Sequence, residues 1–248
     1  MKVSIITATY NSANTIIDTL LSLNEQTYEN IEYIIMDGAS KDNTIEIINE
    51  VCQKKYKVIS EPDNGIYDAL NKGIKLATGD IVGFLHSDDL FAYPDAVKDL
   101  VTSIQKNQTQ AVYADLEYVS RIDTNKIIRK WVSGDFQRQH LLNGWMPPHP
   151  TFFMYRSSYH QYGLFNLDFK IAADYDSILR YLWSNKVKVS YLPKVVTKMR
   201  VGGASNRSLK NIINKTKEDI QALKNNNIFW PRGLILKNFS KISQFFKR

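Results

Sequence analysis

The sequence predicts an α/β fold in which a mostly parallel central sheet is flanked by helices, and three observations carry that expectation. Short apolar runs alternate with apolar residues at helical spacing through the first half of the chain, the mark of parallel strands joined by crossover helices. Polar clusters recur just past those runs, at the edge where open sheets of this kind hold ligands. The 248 residues, 44% of them hydrophobic, suit one large domain with a substantial core.

Taken in order, VSIIT (3–7), IEYIIM (31–36), YKVIS (56–60), IVGFL (81–85) and AVYA (111–114) read as buried strands, because each is a short, continuous apolar run. Residues 14–25, 43–54, 66–77 and 95–105 carry apolar residues at helical spacing and read as the intervening helices. The second half is less regular. Residues 117–132 suggest a charged antiparallel hairpin, MPPHPTFFMYR (146–156) enters another strand, and a helix is expected over 174–185. VKVSYLP (187–193) and VTKMRV (196–201) read as two further strands. No repeat or low-complexity linker interrupts the chain, so 1–207 is expected to form one domain with unequal halves, 1–115 and 116–207. Residues 208–248 are expected to add basic, amphipathic C-terminal helices.

The composition excludes several classes. The single cysteine, Cys52, leaves no internal disulfide framework, suits a reducing cytosol and makes no metal site alone. MKVSIITATYN is too short and polar a start for a signal peptide, and no stretch approaches the roughly 18 apolar residues of a membrane span. Residues 1–207 carry 23 basic and 23 acidic residues, whereas 208–248 carry 9 and 2, so the tail holds the whole net charge of +7. A nucleic-acid partner is therefore not expected for the main body. TATYNSAN after the first strand lacks the glycine pattern of a dinucleotide site, and no P-loop pattern follows any strand.

One stretch raises a question of charge. GFLHSDDLF (83–91) ends an apolar run on adjacent aspartates, Asp88 and Asp89. Neighbouring carboxylates repel, which raises the pKa of one unless a cation sits between them. A turn with a helix cap is the plain alternative, since aspartate is common in both.

TATYN (7–11), MDGASKDNT (36–44), EPDNGIYDALNKG (61–73), GDIVGFLHSDD (79–89) and AADYD (172–176) together settle which reading leads. In this order and spacing the chain resembles the family 2 inverting glycosyltransferases of the GT-A fold, over about residues 1–205. The resemblance implies a nucleotide diphosphate donor, expected to be a UDP-sugar, and halves that bind donor (1–115) and acceptor (116–207). It implies that Thr9 and Tyr10 edge the nucleobase pocket, with a core tyrosine as the alternative for Tyr10. Asp37 would accept hydrogen bonds from the base or ribose, although Gly38 stands where many members carry a second acid. Glu61, Asp63, Asp68 and Lys72 would lie along the donor, while Asp68 and Lys72 are also spaced for a plain helical salt bridge. Asn71 and Gly73 match the family pattern and have packing as their alternative.

The same resemblance answers the question of the paired aspartates. Asp88 would contact the ribose and the metal, and Asp89 would ligate a divalent ion, Mn²⁺ or Mg²⁺, which offsets the charge of the leaving diphosphate. His86 would stand at the pocket edge. Asp174 matches the base that takes the acceptor proton, with a helix cap as the alternative and Asp176 as the second choice. Ala173 replaces an acid often found beside that base. His149 is an acceptor-side candidate or a structural histidine. MRVGGASNRS (199–208) resembles a segment that closes over the diphosphate, with Arg200 preferred over Arg207 as its charge.

Two rivals remain, a nucleotidyltransferase and a non-catalytic module that binds sugar nucleotides. The acceptor is expected to be a glycan or a lipid-linked glycan. LILKNFSKISQFFKR (234–248) sets Ile235, Phe239, Ile242 and Phe246 on one helical face, with Lys237, Lys241, Lys247 and Arg248 free to take the flanks and opposite side, as in helices that lie on anionic membranes. IFWP (228–231) adds a tryptophan of the kind found at membrane interfaces. The expected location is therefore cytoplasmic, at the inner face of the membrane. Packing of this helix on the domain, or on a second subunit in a homodimer, is the alternative.

Overall fold

The computed structural model describes residues 1–202, 209–231, 233 and 234. Its first half builds strands β1 (Val3–Thr9), β2 (Ile31–Asp37), β3 (Tyr56–Ser60) and β4 (Ile81–Phe84), parallel and in the spatial order β3-β2-β1-β4. Helices α1 (Ile16–Asn24), α2 (Thr44–Val51) and α3 (Ile66–Leu76) are the crossovers, and α4 (Ala96–Asn107) follows. The expected parallel sheet is present across these four strands; the apolar runs of β1, β2 and β4 are buried, whereas β3, at the sheet edge, is only partly covered.

Beyond β4 the pairing becomes mixed. Strand β5 (Asp89–Phe91) runs antiparallel to β9 (Val189–Arg200), and β8 (Phe153–Tyr155) runs antiparallel to both β4 and β6 (Ala111–Val119). Strand β7 (Ile127–Trp131) completes the hairpin with β6, while β6 and β9 are parallel. The two strands expected over 187–193 and 196–201 are one. Register along β6 jumps from Ala114↔Leu192 to Asp115↔Val195, so Pro193 and Lys194 bulge out without ending the strand. Proline has no N–H to give the ladder, and a bulge is where a strand tolerates it.

Strand alternation divides the core into two layers. Val3, Ile5, Tyr33 and Ile35 face α1, α2 and α4, through Ile16, Leu20, Ile48 and Leu100. Ile6, Ile34, Met36 and Phe84 face the other side, toward α3 and the second-half helices. These are α5 (Arg156–Tyr162), α6 (Ala173–Ile178) with a wider turn continuing it over Leu179–Ser184, and α7 (Leu209–Asn225). The central strands are crowded. A Cβ on Gly83 would lie 2.2 Å from the Phe153 ring, so glycine is required for β8 to cross there.

Helix α7 comes from the basic segment, yet Ala222 and Leu223 are fully buried in the second layer, with Ile228 just beyond the helix. Residues 235–248, with the amphipathic pattern expected there, and Arg207 lie outside the described residues. Among the described residues no helix is long and apolar enough to cross a membrane.

Candidate functional site

The carboxyl ends of β1 and β4 open onto a cavity of about 610 Å³, within the range of small-molecule sites. Thr9, Tyr10, Asp63, Asp88 and Arg200 line it. Tyr10 is 58% exposed, so it is not a core tyrosine but a ring offered to the cavity.

Asp37 is placed differently. It is buried at the end of β2, and its carboxylate accepts the Ser40 N–H at 2.9 Å, the Ser40 hydroxyl, and the Ser60 hydroxyl at 2.7 Å. Those bonds fold the 38–41 loop against β2 and β3, and Asp37 is not among the lining residues. Asp63 stands in front of it. A Cβ on Gly38 would sit 2.7 Å from Asp63 Oδ2 and 3.4 Å from Tyr10 Cδ2. The position left empty by Gly38 is therefore filled in space by the carboxylate of Asp63, beside the Tyr10 ring.

Glu61, Asp68 and Lys72 of the EPDNGIYDALNKG block form an ionic cluster off the cavity lining. Lys72 lies 2.8 Å from Glu61 and 3.6 Å from Asp68, and donates to the Pro62 carbonyl at 3.2 Å. The helical salt bridge allowed by their spacing is present. Asp68 also accepts the Asn64 N–H at 3.0 Å, which steadies the entry to α3. Asn71 bonds the Phe165 backbone through both ends of its amide, at 2.8 and 2.9 Å, and a Cβ on Gly73 would lie 2.5 Å from Ile6. Both residues serve packing.

Asp88 sits in the turn after β4 and faces the cavity, while Asp89 begins β5 and turns inward. Asp89 is 1% exposed, and among the described residues neither of its carboxylate oxygens has a hydrogen-bond partner. Burial pushes its pKa well above the usual carboxylate range, the charge of Asp88 adds to the rise, and Arg200 opposes it. A buried, unpartnered carboxylate beside a second one is the donor chemistry of a hard divalent cation. Among the described residues no three His, Cys, Asp or Glu side chains converge as a complete metal cage. The residues therefore fit an ion that keeps waters and takes ligand phosphates as its remaining partners, as Mg²⁺ commonly does.

Arg200 closes this corner. It is 5% exposed. Its guanidinium donates to the Asp88 carbonyl at 2.8 Å, to the Arg121 carbonyl at 3.2 Å, and to the Asp18 carboxylate on α1. The cation expected to meet a diphosphate is thus engaged with the protein on all three nitrogens. Arg121, an exposed cation at the turn between β6 and β7, also lines the cavity. Sequence reasoning missed it, because the only local signal was a charged hairpin.

Asp174 lies one residue inside α6. Ala172 occupies the cap position, so Asp174 is not the cap. Its Oδ1 accepts the Tyr175 N–H at 2.8 Å and lies 3.3 Å from the Tyr67 hydroxyl. Its charge raises the pKa of both His86 and His149 against the burial that lowers them, which places the three groups in one electrostatic neighbourhood with Asp88. His149 is packed among rings, with centroids 5.0 Å from Phe84, 5.5 Å from Phe165 and 5.9 Å from His86. Its Nε2 and the Nδ1 of His86 are shielded and have no hydrogen-bond partner among the described residues. Asp176 points elsewhere. It is 3% exposed, 3.6 Å from Arg180 and 3.5 Å from Asn226, so it joins α6 to the end of α7.

The family model "Glycosyl transferase family 2" matches residues 4–163. An uncharacterized glycosyltransferase of Mycobacterium tuberculosis is 33% identical over 187 residues, covering 72% of this chain and 68% of that protein. Chondroitin synthase of Pasteurella multocida is 32% identical over 85% of this chain, which spans 22% of the synthase. Among solved structures, S. aureus TarS 1-349 in complex with UDP-GlcNAc superposes with a TM-score of 0.69 at 20% identity, over 90% of this chain and 67% of that one. The mannosyltransferase PcManGT from Pyrobaculum calidifontis, in complex with GDP-Man and Mn²⁺, gives 0.67 at 18% identity, over 98% and 70%. These superpositions place the fold in the GT-A class.

The buried imidazole of His149 yields a pH prediction. Burial lowers its pKa to about 4, against roughly 6.5 in the unfolded chain. Between those values the unfolded state binds a proton that the folded state refuses, so stability falls as pH falls through this window. The stabilisation is present above about pH 6.5 and lost toward pH 4. His149→Phe, which suits the surrounding rings, is expected to flatten the change of denaturation midpoint between pH 7 and 4. An unchanged slope in the variant would show that His149 is not the group responsible.

Proposed function

The chain belongs to glycosyl transferase family 2, and from that premise we propose that it is an inverting, metal-assisted enzyme that moves a sugar from a UDP-sugar to an acceptor hydroxyl. The observation that carries this reading is Asp89, a buried carboxylate with no hydrogen-bond partner among the described residues, next in the chain to Asp88, which lines the cavity. Tyr10 offers its ring to the base, Asp63 accepts from the base edge beside it, and Asp88 takes the ribose. Asp89 with Asp88 would hold Mn²⁺ or Mg²⁺, which when bound supplies Lewis-acid neutralisation of the diphosphate. Arg121 adds a second cation for the phosphates.

Asp174 takes the proton from the acceptor hydroxyl as its oxygen forms a bond to the anomeric carbon. The bond from that carbon to the phosphate oxygen breaks on the opposite face, and the nucleoside diphosphate leaves with the electron pair. A single displacement of this kind inverts the anomeric centre. His149 and His86, kept neutral by burial, add no charge to compete with Asp174 for that proton. The acceptor is a glycan or lipid-linked glycan. The basic segment 208–248 would hold the enzyme to an anionic membrane, in keeping with an acceptor that resides there.

Four outcomes test this. UDP-GlcNAc and other UDP-sugars should raise the melting temperature in the presence of Mn²⁺ and much less in EDTA. Asp89→Ala should abolish both that metal dependence and turnover, and full activity in EDTA would remove the metal role. Asp174→Asn should lower kcat by on the order of 10²–10⁴ with little change in donor affinity. Donor binding without turnover in the unaltered chain would favour a binding module instead. The full chain should sediment with anionic liposomes at low salt and a chain ending at Asn227 should not; equal sedimentation would exclude the tail as the anchor.

A further inference from the structure

The loop that leads into α6 is held by a residue from a distant part of the chain. Glu218, on α7, accepts three consecutive backbone N–H groups, from Lys170 at 3.0 Å and from Ile171 and Ala172 at 2.8 Å each. These are the residues just before α6, whose own cap position is Ala172, with no side chain to satisfy the helix entry. A carboxylate that gathers several N–H groups makes charge-assisted bonds, stronger than those between neutral partners. The carbonyl side of the same loop is held as well. The Tyr67 hydroxyl donates to the Ile171 carbonyl at 2.8 Å and lies 3.3 Å from Asp174 Oδ1.

We propose that Glu218 is a positioning residue for Asp174: from α7 it fixes the 170–172 backbone, and thereby the place of the carboxylate two residues further on. This rests on the reading of Asp174 as the base. The geometry separates the role from simple anchoring of α7. Ala222 and Leu223 of α7 are fully buried in the core, and Ile228 nearly so, so the helix is docked by apolar contact whether or not Glu218 is ionised. The carboxylate acts on the loop. It lies on the C-terminal helix, outside residues 4–163 matched to the family model. The position next to the base is Ala173, which provides no polar support from within α6.

The test uses the full chain. Glu218→Gln keeps the size of the side chain but loses the charge and one of the two accepting oxygens. We expect kcat to fall about tenfold, since small misplacements of a reacting group cost one to two orders of magnitude, with the donor KM and the melting temperature unchanged. Placed in the Asp174→Asn enzyme, the same substitution should produce no further loss. Glu218→Asp, which keeps the charge but withdraws it by one methylene, should fall between the two. A wild-type kcat for Glu218→Gln beside an impaired Asp174→Asn would overturn the positioning role alone. So would an equal proportional loss in both backgrounds. Wild-type turnover by Asp174→Asn would overturn the base assignment itself, and the positioning role with it. If Glu218→Gln lowers the melting temperature, the comparison of the two backgrounds at a temperature where both are folded still decides.

Discussion

The site depends on one guanidinium. Arg200, at the end of β9, joins the turn that carries Asp88, the hairpin turn that carries Arg121, and Asp18 on α1. None of these is near another in sequence. Strand β5, with Asp89, is only three residues long; it pairs with β9 and is bonded to α1, where the Thr19 hydroxyl donates to the Asp89 carbonyl at 2.7 Å and the Ser22 hydroxyl accepts the Phe91 N–H at 3.1 Å, and Arg200 adds its bond to the Asp88 carbonyl just ahead of it. A buried guanidinium stripped of its partners is strongly destabilising, and here two of the partners, Asp88 and Arg121, line the cavity. Arg200 thus acts as the keystone of the corner where charge is concentrated.

Around that corner, burial and charge oppose each other in a consistent way. Asp89 is desolvated beside Asp88 and raised in pKa, while His86 and His149 are desolvated and lowered. The imidazoles therefore contribute no positive charge at neutral pH, and the aspartates are left with Arg200 as the nearby cation that opposes the rise. Such a site has an open demand for positive charge. A diphosphate accompanied by a divalent ion meets it, whereas the same anion alone would face two carboxylates.

Much of this was legible in the sequence, and what was not has physical reasons. The four parallel strands and their helices follow from apolar runs and helical spacing, signals that are local. Asp88 and Asp89 announced themselves because two like charges at the end of a buried strand need an explanation. The fusion of 187–193 and 196–201 into β9 was hidden by Pro193, which suggests a break until the bulge opposite Ala114 and Asp115 is seen. Asp37 was misleading in another way. Its place at the end of β2 is the expected one, but whether a carboxylate faces a cavity or its own loop is decided by Ser40 and Ser60, and spacing says nothing of that. Arg121 and Glu218 act on residues brought near by the fold, so no local pattern marks them.

The crowding of Gly38 by Asp63 bears on how this chain can change over time. An acidic residue at position 38 would meet a carboxylate already in the same volume. Like charge and steric overlap both oppose that single step. The two positions are therefore coupled in space: a side chain at 38 would require the Asp63 carboxylate to move.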